Sequence, residues 1–420
     1  MDIYDLKNGS KLLTLNKDID ICSFYICVGV GSIYESMHEK GVAHYLEHLL
    51  FKGSKKYNGL NAIAKNLDSF GADFNAYTTK DVTCYFCTVS KLHINRAINI
   101  LLDMVYNPIL DRNDFLRERT VIIEEINRTH DNPKFELEER IYELIYGKNT
   151  QYGYPIPGFI KDIEKIEYND LKKFYEKYYV SKNMKYILVG NFNNNITNIF
   201  NKYTKKGEIL YPKINIKPKS IVKVFTKPNM KQIQIYFCWP ICKYENNDKY
   251  GLHMLANILA SGMSSRLFIE LREKRGMSYN IYAYTSYYLH TGLFTISTAI
   301  DDERVLNDGN KEGGLKIIYD NVTKLKTTLL KDIELNKQKT YLQGQNLIKY
   351  HKTEYLAQHL GEELFYMDKK VTGVENIMGN YNNISSHILM ELAKKYLSDD
   401  KMSIILMGNI KQQDINSFNY

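Results

Sequence analysis

"KNMKYILVGNF", Lys182–Phe192, returns as "DKMSIILMGNI", Asp400–Ile410, 218 residues further along the chain. Ahead of each copy runs a helical stretch that ends in an aromatic turn, "DLKKFYEKYYVS" (Asp170–Ser181) and "ILMELAKKYLS" (Ile388–Ser398). Further upstream "HYLEHLLFKGS", His44–Ser54, matches "HMLANILASGMS", His253–Ser264, at an offset of 209. "GADFNAYTTKDVTCYFCTVS" (Gly71–Ser90) likewise resembles "GMSYNIYAYTSYYLHTGLFTIST" (Gly276–Thr298). The same order at a near-constant offset means a duplicated domain. In each half, alternating runs such as "VTCYFCTVS" interleave with 3.6-period segments such as "HINRAINILLDMVY", so each half should be a sheet covered by helices. The expected class is α/β (α+β), with homologous domains at 1–205 and 222–420. The lysine-rich stretch 206–221, with Pro212 and Pro218, should be an extended linker.

A length of 420 residues suits two domains, and 44% hydrophobic with 25% charged residues suits a soluble globular chain. No apolar run reaches the roughly 18 residues that would cross a bilayer. The opening "MDIYDLKNGSKLLTL" has neither a signal core nor an Arg/Ser-rich leader, so secretion or import is not expected. Six cysteines without a disulfide framework point to the cytoplasm or another reducing compartment. The net charge of +8 is spread along the chain without a nucleic-acid-binding motif, which reads as a solvated lysine-rich surface. "CYFC", Cys84–Cys87, has redox spacing but sits in an alternating strand pattern, so strand packing is expected there. "HLGEE", at His359, lacks a second histidine and reads as surface helix.

Within "GVAHYLEHLLFKG" (Gly41–Gly53), an otherwise apolar segment carries His44, Glu47 and His48. On a helix, residues four apart share a face, so both imidazoles can reach one point about 2 Å from each, the distance for zinc. Glu47 lies beside that point, free to take a proton from a zinc-activated water and return it to a leaving amine. In the second copy His253 persists, but Ala256 and Asn257 replace the other two. A structural requirement would tend to persist in both copies, whereas a chemical one needs only one. A third ligand belongs in the acid-rich helix "DFLRERTVIIEEINR" (Asp114–Arg128). The apolar members Phe115, Leu116, Val121, Ile122, Ile123 and Ile126 share one direction, and Glu124 points away from it. Glu118 and Glu125, within about 20° of each other, form the partly buried pair. The matching segment "LNKQKTYLQGQNLIKY" (Leu335–Tyr350) has no acid.

At these residues the chain resembles the inverzincins, the pitrilysin/insulinase family of zinc peptidases with a His-x-x-Glu-His signature, and most closely their processing-peptidase branch. The likeness runs nearly end to end, through "NGSKLLTL", "GVAHYLEHLLFKGS", "FGADFNAYTTKDVTCYF", "RERTVIIEEI", "YGYPIPG", "YYVSKNMKYILVGN" and "SGMSSRLFIELREKRGMSY". It implies one zinc ion held by His44, His48 and Glu125, with Glu47 as general base and Glu118 as a supporting carboxylate. It implies that Arg272 and Tyr279 reach the substrate, donating to a carbonyl or oxyanion. It also implies that an extended peptide adds to the edge at Asn75, Ala76, Tyr77 and Thr78. The implied architecture is a clam-shell of two mostly antiparallel sheets with helices, enclosing a chamber for short or unfolded chains. The partners that follow are a peptide substrate and at most a second copy in a homodimer, with no nucleic acid and no membrane. The competing reading is a non-catalytic homologue acting as a peptide-binding scaffold. Asp301–Gly314, "DDERVLNDGNKEGG", is longer than the family pattern and has no role assigned by the resemblance.

Overall fold

Residues 1–193, 196–309, 311–368 and 371–416 are described by the structure, a computed structural model. Eleven strands among them form two sheets. The first contains β1 (Asp2–Asp5), β2 (Lys11–Asn16), β3 (Ile21–Val28), β4 (Asp73–Thr78), β5 (Thr83–Ser90) and β6 (Met184–Gly190), in the order β1-β2-β6-β3-β5-β4. The second contains β7 (Val222–Thr226), β8 (Gln232–Ile241), β9 (Ile281–Tyr287), β10 (Gly292–Asp301) and β11 (Ser403–Gly408), in the order β7-β11-β8-β10-β9. With β1 set aside the two orders coincide. The first strand lies parallel to the last, and every other pairing is antiparallel. The duplication is therefore one of topology as well as of wording.

The repeated Gly-Asn that closes each copy of the opening stretch has a backbone cause. Gly190 and Gly408 end β6 and β11 at φ +133 and +153. A Cβ would lie 2.4 Å from the Ile21 carbonyl oxygen at the first site and 3.0 Å from the Ile233 Cα at the second. Only glycine accepts both the dihedral and the approach. The strands ahead of these glycines are the cores of their sheets: Tyr186, Ile187 and Leu188 on β6, with Phe24 and Ile26 on its neighbour β3, like Ile404, Ile405 and Leu406 on β11, are fully buried. Each such side chain contributes roughly 1.5–3 kcal/mol of burial.

Five helices matter here: α1 (Val42–Leu50), α2 (Arg112–Asp131), α3 (Pro133–Tyr146), α4 (Asp248–Ala260) and α5 (Thr353–Met367). Two compact units result, and neither is a continuous half of the chain. Unit 1 is Met1–Asp131, Asn149–Ile214 and Asn346–Gly373; unit 2 is Asn132–Lys148, Asn215–Gln345 and Val374–Tyr420. Helix α3 thus belongs to unit 2, where the Tyr236 hydroxyl donates to Glu138 at 3.0 Å and the Tyr146 hydroxyl donates to the Gly292 carbonyl at 3.0 Å. Helix α5 belongs to unit 1. There the Lys185 ammonium donates to the Leu364 carbonyl at 2.7 Å, and the Tyr366 hydroxyl donates to Asp81 at 2.8 Å. The "HLGEE" segment is consequently not a surface helix. It lies in α5 against β3 and β6, with Leu356, Ala357, Leu360, Gly361 and Leu364 buried and Glu363 only 1% exposed.

Residues 206–221 carry neither helix nor strand. All six cysteines are free, and Cys84 and Cys87 are buried in β5 as strand residues. No helix among the described residues is long and apolar enough to cross a membrane. Residue 310, inside the 301–314 segment, lies outside the described residues.

Candidate metal centre and substrate edge

Helix α1 starts at Gly41, φ +91, where a Cβ would lie 2.4 Å from the Pro157 carbonyl oxygen. Glycine alone lets the helix begin this close to the "YGYPIPG" segment. Glu35 then receives the first backbone groups of the helix: its carboxylate accepts from Gly41 N–H at 2.9 Å and Ala43 N–H at 2.8 Å. Such orphan donors otherwise face a buried environment without partners. Burial pushes the Glu35 carboxyl well above the usual carboxylate range, against the pull of those two N–H groups. Behind the helix, Val42, Ala43, Tyr45, Leu46, Leu49 and Leu50 are at most 1% exposed. His44 and His48 occupy the other flank.

Helix α2 packs on α1 through Tyr45, whose ring stacks on Phe115 at 4.9 Å and whose hydroxyl donates to the Phe115 carbonyl. That contact sets the register that carries the acids toward the histidines. His44 Nε2 lies 3.7 Å from Glu125 Oε1, and His48 Nε2 lies 3.5 Å from Glu125 Oε2. One ligand atom from each of the three falls within 4.8 Å of the others. Two ligands of a tetrahedral zinc sit about 3.3 Å apart, so the histidine–carboxylate separations are within about half an ångström of that edge. His48 Nδ1 is 3.1 Å from Glu118 Oε2, which leaves Nε2 as the nitrogen facing Glu125. A carboxylate behind an imidazole in this way fixes tautomer and ring direction. Lys52 donates to the other Glu118 oxygen at 2.6 Å.

The electrostatics favour a cation at this place. Burial, then the neighbouring His48, lowers His44 to about 4, so that ring stays neutral and able to ligate. Burial also works against charge on His48, but its hydrogen bonds to Glu118 and Glu125 outweigh this and carry it to about 9. The His48 contact holds the Glu125 carboxyl below its ordinary range. Two imidazoles and a carboxylate are a zinc donor set, with Nε2 of each ring turned to Glu125. The residues present therefore fit the ion.

Glu47 stands outside that trio and is 9% exposed. Burial raises its carboxyl above the ordinary range, while Thr78, whose hydroxyl donates to Glu47 Oε2 at 2.5 Å, opposes the rise. Thr78 is the last residue of β4, the strand that closes one end of the first sheet. Asn75, Ala76 and Tyr77 lie on the same strand, paired through Phe86, Tyr85 and Cys84 of β5. The other edge of β4 carries no strand among the described residues, and Asn75 Oδ1 accepts the Ala76 N–H at 2.9 Å.

Periodicity located Glu118 well, at 6% exposure, but Glu125 differs: its side chain is 47% exposed. The buried stripe of α2 is narrower than its apolar residues suggested, because Leu116 and Val121 are themselves 51% and 48% exposed. Three contributors escaped the sequence reading. Glu35 lies outside any helix pattern, Lys52 looks like one more surface lysine, and Thr78 points toward the base as well as lying on the edge. Arg272 and Tyr279 lie together in unit 2. Arg272 Nη1 donates to the Tyr279 carbonyl at 3.0 Å, its guanidinium is 4.5 Å from the Tyr279 ring, and Tyr279 is 73% exposed.

Residues 11–157 match the family model for insulinase (peptidase family M16), and residues 165–342 match that for the peptidase M16 inactive domain. A zinc protease of Rickettsia felis is 30% identical, over 97% of this chain and 98% of that protein. The zinc protease YmxG of Bacillus subtilis is 27% identical, over 94% and 96%. Among solved structures, a protease from Helicobacter pylori superposes with a TM-score of 0.87 at 23% identity, covering 97% of this chain and 98% of that one.

Proposed function

This chain belongs to the insulinase family, peptidase family M16, and we propose that it is a zinc-dependent, processing-peptidase-like endopeptidase acting on short or unfolded polypeptides. The observation that carries the proposal is the convergence of His44, His48 and Glu125 with the buried carboxylate of Glu47 next in sequence to His48. Zinc held by the trio would polarise the scissile carbonyl and lower the pKa of a water to roughly 7. Glu47 removes a proton from the attacking water as its oxygen bonds to the carbonyl carbon. The same carboxyl then delivers that proton to the amide nitrogen as the C–N bond breaks. Thr78 holds the Glu47 carboxylate in one orientation, and Glu118 holds His48.

The open edge of β4 is where an extended peptide would pair, main chain to main chain, which favours loose sequence preference. A pairing peptide would compete with Asn75 for the Ala76 N–H. Arg272 and Tyr279 would donate to the substrate carbonyl or the oxyanion.

The test is mass spectrometry of products from a mixed peptide pool, with and without a chelator, beside Glu47→Gln. Cleavage is expected from the native protein only, with zinc content unchanged in the variant. A native protein that binds zinc and leaves every peptide intact would instead be a peptide-binding scaffold.

A further inference from the structure

The long segment after β10 is tied to the turn that displays Arg272 and Tyr279. That turn leaves a short helical stretch, Phe268–Glu273, passes Gly276 at φ +56, and enters β9 at Ile281. Residues 274–280 have no ladder of their own; the N–H groups of Lys274, Gly276 and Met277 return to the carbonyls of Ile269, Arg272 and Leu271, and the carbonyls of Arg275 and Gly276 need outside partners. Arg304 supplies them: its Nη1 donates to the Gly276 carbonyl at 2.9 Å, and its Nη2 donates to the Arg275 carbonyl. Arg275 is clasped in turn, by Glu270 at 2.5 Å and by Glu312 at 3.1 Å. Arg304 and Glu312 both come from the 301–314 segment.

Between this segment and the turn lies a cavity of about 850 Å³, lined by Arg275, Met277, Arg304, Leu306 and Glu312 among others. Met277 and Ser278 of the turn are buried, and the Ser278 hydroxyl lies 2.6 Å from that of Thr298; the guanidinium bridges add the ties to the 301–314 segment.

We infer that Arg304, seconded by Glu312 through Arg275, is a positioning residue for the Arg272–Tyr279 pair, so that the 301–314 segment aims the substrate-binding turn of unit 2. This rests on the proposed role of Arg272. Arg304 touches no substrate; it fixes two consecutive carbonyls, three and four residues before Tyr279. Arg272 is in turn fixed to Tyr279 through the carbonyl of that residue and its ring. Releasing the turn frees both donors to wander without removing either.

The test uses the full zinc-loaded chain and a short peptide substrate. Arg272→Ala is expected to lower kcat by ~10²-fold, as loss of an oxyanion donor does. Arg304→Met should lower kcat by about 10-fold with KM changed less than about 2-fold, because misplacement costs rate before it costs binding. Arg304→Lys, which can still reach one carbonyl, should recover part of the loss. Added to Arg272→Ala with Tyr279→Phe, Arg304→Met should have no further effect, since it acts through those two donors. Hydrogen exchange at the amides of 276–280 should accelerate in Arg304→Met, with zinc affinity unchanged.

Wild-type kcat in Arg304→Met beside a crippled Arg272→Ala would overturn this inference alone. So would a loss from Arg304→Met that multiplies with that of Arg272→Ala and Tyr279→Phe combined, or a Lys variant no better than Met. Wild-type kcat in Arg272→Ala would overturn the role assigned to Arg272, and this inference with it.

Discussion

Glu118→Gln isolates what the carboxylate behind His48 does. In the native protein Glu118 serves two donors at once, His48 Nδ1 at 3.1 Å and Lys52 Nζ at 2.6 Å, with its side chain 8% exposed. Glutamine keeps the shape, but its single carbonyl oxygen can accept from only one of the two. Its amide N–H group turns a donor toward the other. Whichever flip is adopted, either the ring loses the acceptor that fixes it or Lys52 does. Lys52 is 33% exposed and can relax into water, so its lost ion pair costs little, under about 1 kcal/mol. The favoured flip therefore keeps the carbonyl oxygen on His48 Nδ1 and turns the amide N–H group to Lys52, so the ring keeps its acceptor and loses the carboxylate charge behind it. Outer-shell partners of ligating histidines are worth about 10–100-fold in metal affinity, or roughly 1.4–2.7 kcal/mol. Competition against a chromophoric zinc chelator should read that drop, with far-UV circular dichroism unchanged. Lys52→Met combined with Glu118→Gln should stay as weak, because the lysine is a bystander to the metal. A Glu118→Gln protein that holds zinc within twofold of wild type would refute the reasoning.

Thr78→Val should keep zinc but lower kcat by about 10-fold, while Thr78→Ser retains most activity; the hydroxyl orients a buried carboxylate, and such bonds are worth about 1.5–3 kcal/mol. Equal activity in the valine and serine variants would show that Thr78 does not orient Glu47. Gly41→Ala forces a Cβ to 2.4 Å from a carbonyl oxygen at φ +91, so thermal melts should show a loss of at least ~2 kcal/mol, with weakened zinc binding because the start of α1 must move. Leu360→Ala, on the buried face of α5, should cost about 2–5 kcal/mol in chemical denaturation; a change within 0.5 kcal/mol, as surface sites give on the order of, would contradict the packing of α5 on unit 1.

How much of this was readable beforehand differs between elements for physical reasons. The duplication was readable because strand cores and the glycines ending them answer to local sterics, and both copies meet the same constraint at Gly190 and Gly408. The trio on α1 was readable because polar groups at i, i+3 and i+4 on an apolar helix are costly without a use. The exchange of α3 and α5 between units was not. An amphipathic pattern says that a face is buried, yet Leu356, Leu360 and Leu364 would suit either sheet equally well. Glu35 escaped for a related reason: it caps α1 from six residues before Gly41, across a short turn that no helix period describes. Thr78 was legible as edge strand but not as a partner of Glu47, since that contact depends on how α1 packs over β4.

The two copies of the helix also separate structural from chemical use of one histidine position. His253 in α4 is the counterpart of His44, and its Nδ1 lies 2.7 Å from the Tyr381 hydroxyl. Asn257, standing where His48 stands in the first copy, donates back to the His253 carbonyl at 2.8 Å. In unit 2, then, ordinary hydrogen bonds satisfy both polar positions. In unit 1 they do not: His44 Nδ1 is buried without a hydrogen-bond partner, and its Nε2 stands 3.7 Å from a carboxylate oxygen, beyond hydrogen-bonding range. An imidazole kept neutral and short of partners is an unfavourable tenant of a core, by about 1–3 kcal/mol per missing bond. A divalent ion at Nε2 would give that nitrogen a partner while leaving Nδ1 as it is, which supports the metal reading of unit 1. The prediction that follows is a stability test. Zinc at 100 times its Kd should stabilise the native protein by about 2.7 kcal/mol in thermal melts. It should add nothing to Glu125→Ala, whose two histidines lack their third partner; equal stabilisation of both proteins would place the ion elsewhere.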